Sequence, residues 1–202
     1  MIELIEKGGM MMYPIVITSI VAFTIVFEKF YVLFFQGKYL DQETIDRAFN
    51  LLDEGKRDEA ENIISSDKSP FSDFFLSVFR EKEEKEMEHA ASISGDKIIF
   101  NLSRRLSVLS ISASVLPLMG LLGTVLGMIK VFSRVAHAGS AADISILAGG
   151  IWESLITTAA GMLIAIPVIL IHHYYKRNIS DTMHFMQQDG DMLISKLKNP
   201  GV

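Results

Sequence analysis

One carboxylate stands alone in the longest stretch of the sequence that is otherwise free of charged side chains. Glu153 is the only Asp, Glu, Lys or Arg between residues 144 and 175. An ionised carboxylate in the hydrocarbon of a bilayer costs about 2.5–3.5 kcal/mol on insertion scales, so it must face protein or water, gain a partner or become protonated. Two interpretations follow: a glutamate at the outer boundary of a membrane span, or an intramembrane carboxylate with a function. We favour the second.

Small and hydroxyl-bearing residues accompany Glu153 and also fill the preceding apolar stretch. Thr157, Gly161 and Ala165 follow Glu153 at i+4, i+8 and i+12, with Ser154 and Thr158 beside this face. In the preceding stretch, residues of the same kinds recur at spacings of four and three: Ala113, Pro117, Gly120, Thr124 and Gly127, with Gly123 and Gly127 forming a GxxxG pair. Such stripes allow close helix packing in lipid. They also suit a hydroxyl-bearing pore wall, and the pattern alone leaves both interpretations open.

Three stretches without Asp, Glu, Lys or Arg predict three transmembrane helices. They cover residues 8–27, 106–129 and 154–175. About 20 apolar residues, rising about 1.5 Å each, cross a hydrocarbon core of about 30 Å. Ser140 and Asp143 fit a capping box, so we expect the third helix to begin near residue 141 and to continue past Tyr175. The residues before the first stretch are acidic rather than basic, which argues against a cleaved signal peptide.

The basic residues near the ends of these stretches predict an orientation. One side carries seven of them and the other three: Lys29, Lys38, Lys97, Arg104, Arg105, Lys176 and Arg177 against Lys7, Lys130 and Arg134. The positive-inside rule places the richer side in the cytoplasm. The predicted segments are 1–35 (periplasmic N-terminus and first span), 36–103 (cytoplasmic helical region), 104–133 (second span), 134–141 (short periplasmic loop), 142–177 (third span) and 178–202 (cytoplasmic helix or tail).

The region between the first two spans reads as helical. Ile45, Ala48, Phe49 and Leu52 fall at i, i+3, i+4 and i+7, the spacing of one helix face. Ser69 and Pro70 predict the start of a further helix, which the charged residues 80–89 continue. The apolar pattern around residue 102 predicts that the second span begins inside this region as one long helix. No strand pattern is visible. We therefore predict an all-α integral membrane protein.

Composition excludes several classes of function. The sequence has no Cys, which excludes disulfides and thiol catalysis, and its net charge of −5 argues against nucleic acid as a partner. His172 and His173 are adjacent, so they point to different sides of a helix and suit an interfacial belt better than a metal site. No Ser–His–Asp, paired-carboxylate or HExxH arrangement is present, and we expect neither an enzyme nor a metal or other cofactor.

Two segments resemble the ExbB/TolQ proton-channel family, which also includes MotA. Residues 117–127, PLMGLLGTVLG, are similar to its second-span pattern P-x-x-GL-x-GTV-x-G. Residues 150–161, GIWESLITTAAG, followed by Ala165-Ile-Pro167, are similar to its third-span pattern. The Glu28-Lys29 end of the first span also resembles the family's boundary. Ser154 stands where Ala is usual in this family, and Trp152 precedes the glutamate; these departures leave the subfamily open.

The resemblance implies a mechanism. Proteins of this family form a pentameric ring around two copies of a single-span partner, ExbD-like or TolR-like, whose membrane Asp takes up and releases protons. Proton flow across the bacterial inner membrane is thereby coupled to a TonB-like or TolA-like client. By this resemblance Glu153, Thr124 and Thr158 match pore-facing positions, and Pro117 and Pro167 match span prolines. The candidate residues of the proton pathway are Glu153, Thr124, Thr157 and Thr158, and those of helix packing are Pro117, Gly120, Gly123, Gly127, Gly161 and Pro167.

Several functions compete with this one. An ExbB-type subunit that energises outer-membrane transport is the first hypothesis, and a TolQ-type role in envelope integrity and division is the nearest alternative. A flagellar MotA-like stator is disfavoured because that relative typically has four spans and lacks the equivalent glutamate. A secondary transporter is disfavoured because no inverted repeat or pair of broken helices is visible. A scaffold would tolerate loss of Glu153, and neither the client nor the choice between H⁺ and Na⁺ follows from the sequence.

Overall fold

The computed structural model describes residues 8–31, 42–67, 69–138 and 144–199, and all regular secondary structure in these ranges is α-helical. The helices are α1 (Met12–Tyr31), α2 (Gln42–Asp53), α3 (Arg57–Ser66), α4 (Ser72–Phe79), α5 (Glu84–Ser103), α6 (Leu106–Ala138) and α7 (Ile144–Lys198). Three segments are long and apolar enough to cross a membrane: α1, a stretch within Glu84–His137 and a stretch within Leu147–Lys198. The predicted all-α fold with three spanning helices is confirmed for these ranges, and the predicted cap at Ser140 and Asp143 lies outside them.

The chain divides into two compact units, which are described separately. The first comprises Met1–Phe27 and Arg105–Tyr174, and the second comprises Glu28–Arg104 and Tyr175–Val202. Both units use α7, which continues past Tyr175 to Lys198 as the sequence predicted.

The first unit consists of the apolar parts of α1, α6 and α7. Ile15, Leu116 and Ala165, one residue from each helix, form its buried centre. Large apolar side chains cover its outer surface, among them Ile20, Phe23, Leu118, Leu122, Leu163 and Ile166. In water such a surface would be unstable, whereas lipid tails are as apolar as these side chains. Small residues between the helices and large apolar ones outside are the distribution that a membrane bundle requires.

The second unit has a conventional hydrophobic core. The predicted face of α2 is confirmed, since Ile45, Ala48, Phe49 and Leu52 are all buried. They pack with the aromatic residues of α4 and with Met186, Leu193 and Ile194 from the end of α7. Burying a large apolar side chain stabilises a fold by about 1.5–3 kcal/mol. This core therefore holds four short helices and the end of α7 together.

The prediction of a helix that begins at Ser69 and continues through residues 80–89 is wrong. The helix starts at Ser72, where the backbone N–H and the hydroxyl both donate to the Ser69 carbonyl, at 3.2 and 2.8 Å. It ends at Phe79, whose carbonyl accepts a hydrogen bond of 2.5 Å from Arg57. A cation is favourable at a helix C-terminus because it meets carbonyls that have no helical partner. The next helix begins only at Glu84.

The expected continuous helix leading into the second span is also wrong, because it is interrupted between α5 and α6. Arg105 has a φ of +66°, in the left-handed region that an L-residue with a side chain rarely adopts. In a continuous helix the Leu102 carbonyl would accept from the N–H of Leu106. Here it accepts instead from the Lys29 ammonium at 2.8 Å, and Lys29 is only 4% exposed. Lys29 thus caps α5.

Replacing Lys29 by Met should destabilise the second unit, because the Leu102 carbonyl would lose a charged donor. A hydrogen bond to a charged group contributes about 1.5–3 kcal/mol, and we expect a loss of this order in the free energy of unfolding. Thermal unfolding of the detergent-solubilised protein measures it. Lys97→Met, on an exposed position of α5, is the matched control and should unfold as the native chain does. Equal effects of the two changes would contradict the capping role of Lys29.

Candidate functional site

The backbones of α6 and α7 approach closely where small residues of the two helices meet. A Cβ atom on Gly161 would lie 2.7 Å from the Leu116 carbonyl oxygen and 3.1 Å from the Cα of Gly120. A Cβ on Gly120 would lie 3.1 Å from the Cα of Thr158. Because these neighbours are backbone atoms, they cannot move aside as a flexible side chain can. Gly120 and Gly161 therefore set the distance between the two helices.

Gly127 and Gly123 extend this contact along α6. A Cβ on Gly127 would overlap the Ser154 hydroxyl, and one on Gly123 would overlap the Thr157 side chain. Ser154 and Thr157 are each only 1% exposed. The small stripe of α6 thus receives hydroxyl side chains of α7 in a close contact between the two helices, and its part in a pore wall stays a prediction.

A pair of threonine hydroxyls lies between α6 and α7. Thr124 Oγ1 and Thr158 Oγ1 are hydrogen-bonded to each other. Thr158 Oγ1 is 2.8 Å from the Gly120 carbonyl oxygen, and Thr124 Oγ1 is 3.4 Å from that of Ser154. Each hydroxyl can donate one proton and accept two hydrogen bonds. The pair can therefore change hydrogen-bond partners without a change of charge, as a path for protons requires.

Glu153 precedes Thr158 of this pair by five residues on α7 and faces a cation. Its side chain is 27% exposed, and both carboxylate oxygens lie near Lys130 Nζ of α6, at 3.3 and 3.4 Å. The Lys130 side chain is 51% exposed. Solvent screens a pair this exposed, so its contribution to folding is at most about 1 kcal/mol. The ion pair matters mainly because it orients the Glu153 carboxylate towards α6.

The turn before α1 also contacts Glu153. Gly9 has a φ of +69°, and its Cα lies so close to Glu153 Oε1 that a Cβ there would overlap the carboxylate. Thr157 Oγ1 donates to the Gly8 carbonyl at 2.6 Å and lies 2.9 Å from the Glu153 carbonyl oxygen. Only glycine combines this backbone conformation with this contact. Gly8 and Gly9 therefore hold the outer part of α7 against the start of α1.

The structure brings most of the sequence-predicted site residues together. Thr124, Thr158 and Glu153 lie along the α6–α7 contact, whereas Thr157 is fully buried and its hydroxyl faces Gly8. Pro117 and Pro167 lie inside α6 and α7 and are partly buried. The roles of these residues in an ion pathway stay predictions. Among the described residues, no group of three or more His, Cys, Asp or Glu side chains is arranged to hold a metal ion.

Sequence reasoning missed Lys130, Gly8 and Gly9 as members of the site. A signal for Lys130 was present, since Gly123, Gly127 and Lys130 fall at i, i+4 and i+7 on one face of α6. Lys130 served only as a topology marker, because the stripe of small residues was not extended by one more turn to include it. For Gly8 and Gly9 no signal existed, because their contacts with Thr157 and Glu153 join positions far apart in sequence.

Comparison with known proteins identifies relatives along nearly the whole chain. Residues 66–188 match the model of the MotA/TolQ/ExbB proton channel family. An ExbB-like protein of Synechocystis sp. is 30% identical over 194 residues, which cover 93% of this chain and 75% of that one. The biopolymer transport protein ExbB of Salmonella typhimurium is 26% identical over 181 residues, covering 83% and 72%. In the solved structure of C. jejuni MotAB, one chain has the same fold, with a TM-score of 0.63 at 16% identity over 91% of this chain and 73% of that one.

Replacing Gly161 by Ala should destabilise the first unit, because the new methyl group would overlap the Leu116 carbonyl and the Gly120 backbone. Overpacking of this kind costs about 1–3 kcal/mol. Gly149→Ala on the same helix is the matched control, since a Cβ there has nothing within 4 Å, and Ala should stabilise the helix slightly. Thermal unfolding of the two purified variants compares them. A native-like Gly161→Ala protein would contradict the close approach of α6 and α7.

Proposed function

The chain belongs to the MotA/TolQ/ExbB proton channel family, as its two membrane motifs indicated, and on this premise we propose that it is a ring-forming stator subunit that couples proton flow across the inner membrane to work on an outer-membrane client. The observation that carries the proposal is the position of Glu153. It is the only carboxylate of the described part of the first unit, and it precedes Thr158 of the Thr124–Thr158 hydroxyl pair by five residues on α7.

The described contacts support distinct roles for the site residues. Glu153 takes up and releases protons, because it is the only carboxylate in the part of the first unit that the structure describes. Thr124 and Thr158 supply hydroxyls that pass hydrogen bonds along the path. Thr157, whose hydroxyl is held by the Gly8 carbonyl, keeps the Glu153 turn of α7 in place. Gly120, Gly123, Gly127 and Gly161, with Pro117 and Pro167, keep α6 and α7 at the separation that this path needs.

The proposed assembly is a pentamer around a single-span partner with a membrane aspartate, of the ExbD or TolR kind. The large apolar side chains on the outside of the first unit provide surface for neighbouring subunits and for lipid. The partner's aspartate would meet the hydroxyl path from the centre of the ring. The orientation follows from the basic residues: a periplasmic N-terminus, and the second unit in the cytoplasm, where Lys29, Arg104 and Arg177 lie.

The names of the relatives favour an ExbB-type role over a TolQ-type role. The relatives from Synechocystis sp. and Salmonella typhimurium both carry ExbB names, which supports a TonB-like client that energises outer-membrane transport. A TolQ-like role in envelope integrity is the second candidate, because the two motifs are common to both subfamilies. The likeness to C. jejuni MotAB is one of fold, and the presence of Glu153 argues against a flagellar role.

Replacing Glu153 by Gln tests the proposal directly. Gln has nearly the same shape but cannot exchange a proton at this position, so output that depends on the proton-motive force should fall to the level of a strain without the chain. The measurement is energised uptake in cells that carry the variant in place of the native gene, with ring assembly followed by chemical cross-linking. Glu83→Gln, on an exposed position of the second unit, is the control. A scaffold would keep its output after Glu153→Gln, and that result would remove Glu153 from the proton path.

Thr158 offers a graded test of the hydroxyl path. Thr158→Val keeps the shape of the side chain and removes its hydroxyl, leaving the Gly120 carbonyl and the Thr124 hydroxyl without this partner. We expect a several-fold loss of energised uptake and a stability loss of about 1 kcal/mol. Thr158→Ser retains the hydroxyl and should keep most of the output. Equal output from the Val and Ser variants would show that the hydroxyl has no part in the path.

A further inference from the structure

The second unit contains a groove between α5 and the end of α7, with the ring of Phe74 from α4 at its floor. Gly95 of α5 and Gly190 of α7 both face this ring. A Cβ atom on Gly95 would lie 3.6 Å from Phe74 Cε2, and one on Gly190 would lie 2.9 Å from Phe74 Cζ. Because neither helix carries a side chain at these positions, a cavity of about 200 Å³ remains. We call it the α5–α7 groove.

Apolar side chains form most of the lining of the α5–α7 groove. Met186 reaches towards Gly95, where a Cβ would lie 3.7 Å from its Cε atom, and Ile99, Met183 and Ile194 complete the apolar part. Met183 is 43% exposed although it is large and apolar. Methionine adapts its shape to different neighbours, and it is common at surfaces that bind peptides. The groove is therefore suited to an apolar side chain supplied from outside.

Three carboxylates line the same groove. Glu88 and Asp96 lie on α5 at i and i+8, about 12 Å apart along the helix, and Asp191 lies on α7. All three are exposed, and none makes a hydrogen bond or an ion pair with another described residue. The described residues that line the groove include no Lys, Arg or His. The lining thus combines apolar surface with unbalanced negative charge.

The lysines at the end of α7 do not balance this charge, because they pair with other carboxylates. Lys196 pairs with Asp53 of α2, and Lys198 pairs with Glu84 at the start of α5. Anionic lipids of the cytoplasmic leaflet attract basic segments, so an acidic groove is unsuited to a lipid surface. The occupant that complements the groove brings its own basic residues together with an apolar side chain.

We propose that the α5–α7 groove is the docking site for the basic segment that flanks the membrane span of the single-span partner on its cytoplasmic side. The positive-inside rule places Lys and Arg in the cytoplasmic flank of a membrane-spanning protein, so this flank has the charge that the groove lacks. In the proposed orientation the second unit lies in the cytoplasm as well. The inference rests on the proposed function for the partner and the orientation, and it adds a contact outside the membrane.

The spacing of the carboxylates defines the segment that fits. An extended chain advances about 3.3 Å per residue, so about four residues cover the 12 Å from Glu88 to Asp96. Two basic residues at this spacing can meet both carboxylates, and an apolar residue between them can enter the cavity beside Phe74. Exposed ion pairs contribute little individually and are screened by salt. Binding should therefore be weak and should weaken further as the salt concentration rises.

Fluorescence anisotropy of labelled peptides on the purified full chain tests this chemistry. The peptide Lys-Arg-Leu-Arg-Lys should bind. Lys-Arg-Ser-Arg-Lys should bind several-fold more weakly, because the apolar part of the groove stays empty, and Glu-Glu-Leu-Glu-Glu should not bind. A triple variant of the chain with Glu88→Gln, Asp96→Asn and Asp191→Asn keeps the shape of the groove and should bind the first peptide about tenfold more weakly.

A second triple variant is the matched control for charge. It neutralises three exposed carboxylates of α2 and α3 that do not line the groove: Asp46→Asn, Asp58→Asn and Glu59→Gln. This variant should bind the basic peptide as the native chain does. Equal weakening by the two triple variants would mean that net charge alone attracts the peptide, and this would overturn the proposal. Equal binding of the Leu and Ser peptides would overturn it too.

Photo-cross-linking in the assembled complex tests the occupant. Benzoylphenylalanine in place of Ser92, an exposed residue that lines the groove, should link to the partner, and mass spectrometry should map the link to the cytoplasmic flank of its span. The same probe in place of Asp46 on α2 should not reach that flank. A link from position 92 to a second copy of this chain or to lipid, or no link to the partner, would overturn the proposal. Neither experiment involves ion flow, so this proposal and the role of Glu153 can fail separately.

Discussion

The first unit depends on one constraint: the lone carboxylate in an otherwise charge-free, apolar stretch of α7 must face polar groups or water. Glu153 meets this constraint through groups from three parts of the first unit. Lys130 of α6 supplies opposite charge, the Gly9 turn supplies a close backbone contact, and Thr157 ties the same turn of α7 to Gly8. These contacts come from α6, from α7 and from the turn before α1, so they link the three helices of the first unit at one place. The polar site therefore helps to determine the packing of its own scaffold.

Small residues make this arrangement possible. Lipid gives helices no hydrophobic reason to associate, so close contact and hydrogen bonding must supply the attraction. Gly120 and Gly161 bring the backbones of α6 and α7 together, and this approach lets the Thr158 hydroxyl reach the Gly120 carbonyl at 2.8 Å. Larger residues would separate the helices and with them the two threonine hydroxyls. One stripe thus provides both close packing and polar contact between α6 and α7.

The sequence predicted what depends on local pattern and missed what depends on long-range contact. Charge-free stretches predicted the spanning helices, and 3.6-residue periodicity predicted the buried face of α2. Three features escaped it: the ends of α4, the interruption at Arg105, and the contacts of Gly9 with Glu153. Arg57 caps α4 from another helix, and Lys29 caps α5 across 73 positions of sequence. No window of neighbouring residues contains such partners. Lys130 is the exception, since its spacing from Gly127 placed it on the polar face.

Lys29 and Lys130 each carry a positive charge that needs a partner, and the two lysines find different kinds of partner. Lys29 in the second unit is 4% exposed and donates to the Leu102 carbonyl at the end of α5. Its charge is satisfied by a group that cannot ionise, so this contact can only hold structure. Lys130 in the first unit is half exposed and faces a carboxylate that is itself 27% exposed. Solvent reaches both members of this ion pair and screens it, so the pair contributes less to folding than the buried hydrogen bond of Lys29. Lys29 therefore fixes the end of α5, whereas α6 and α7 are held together mainly by the close contact of their small residues and only secondarily by Lys130 and Glu153.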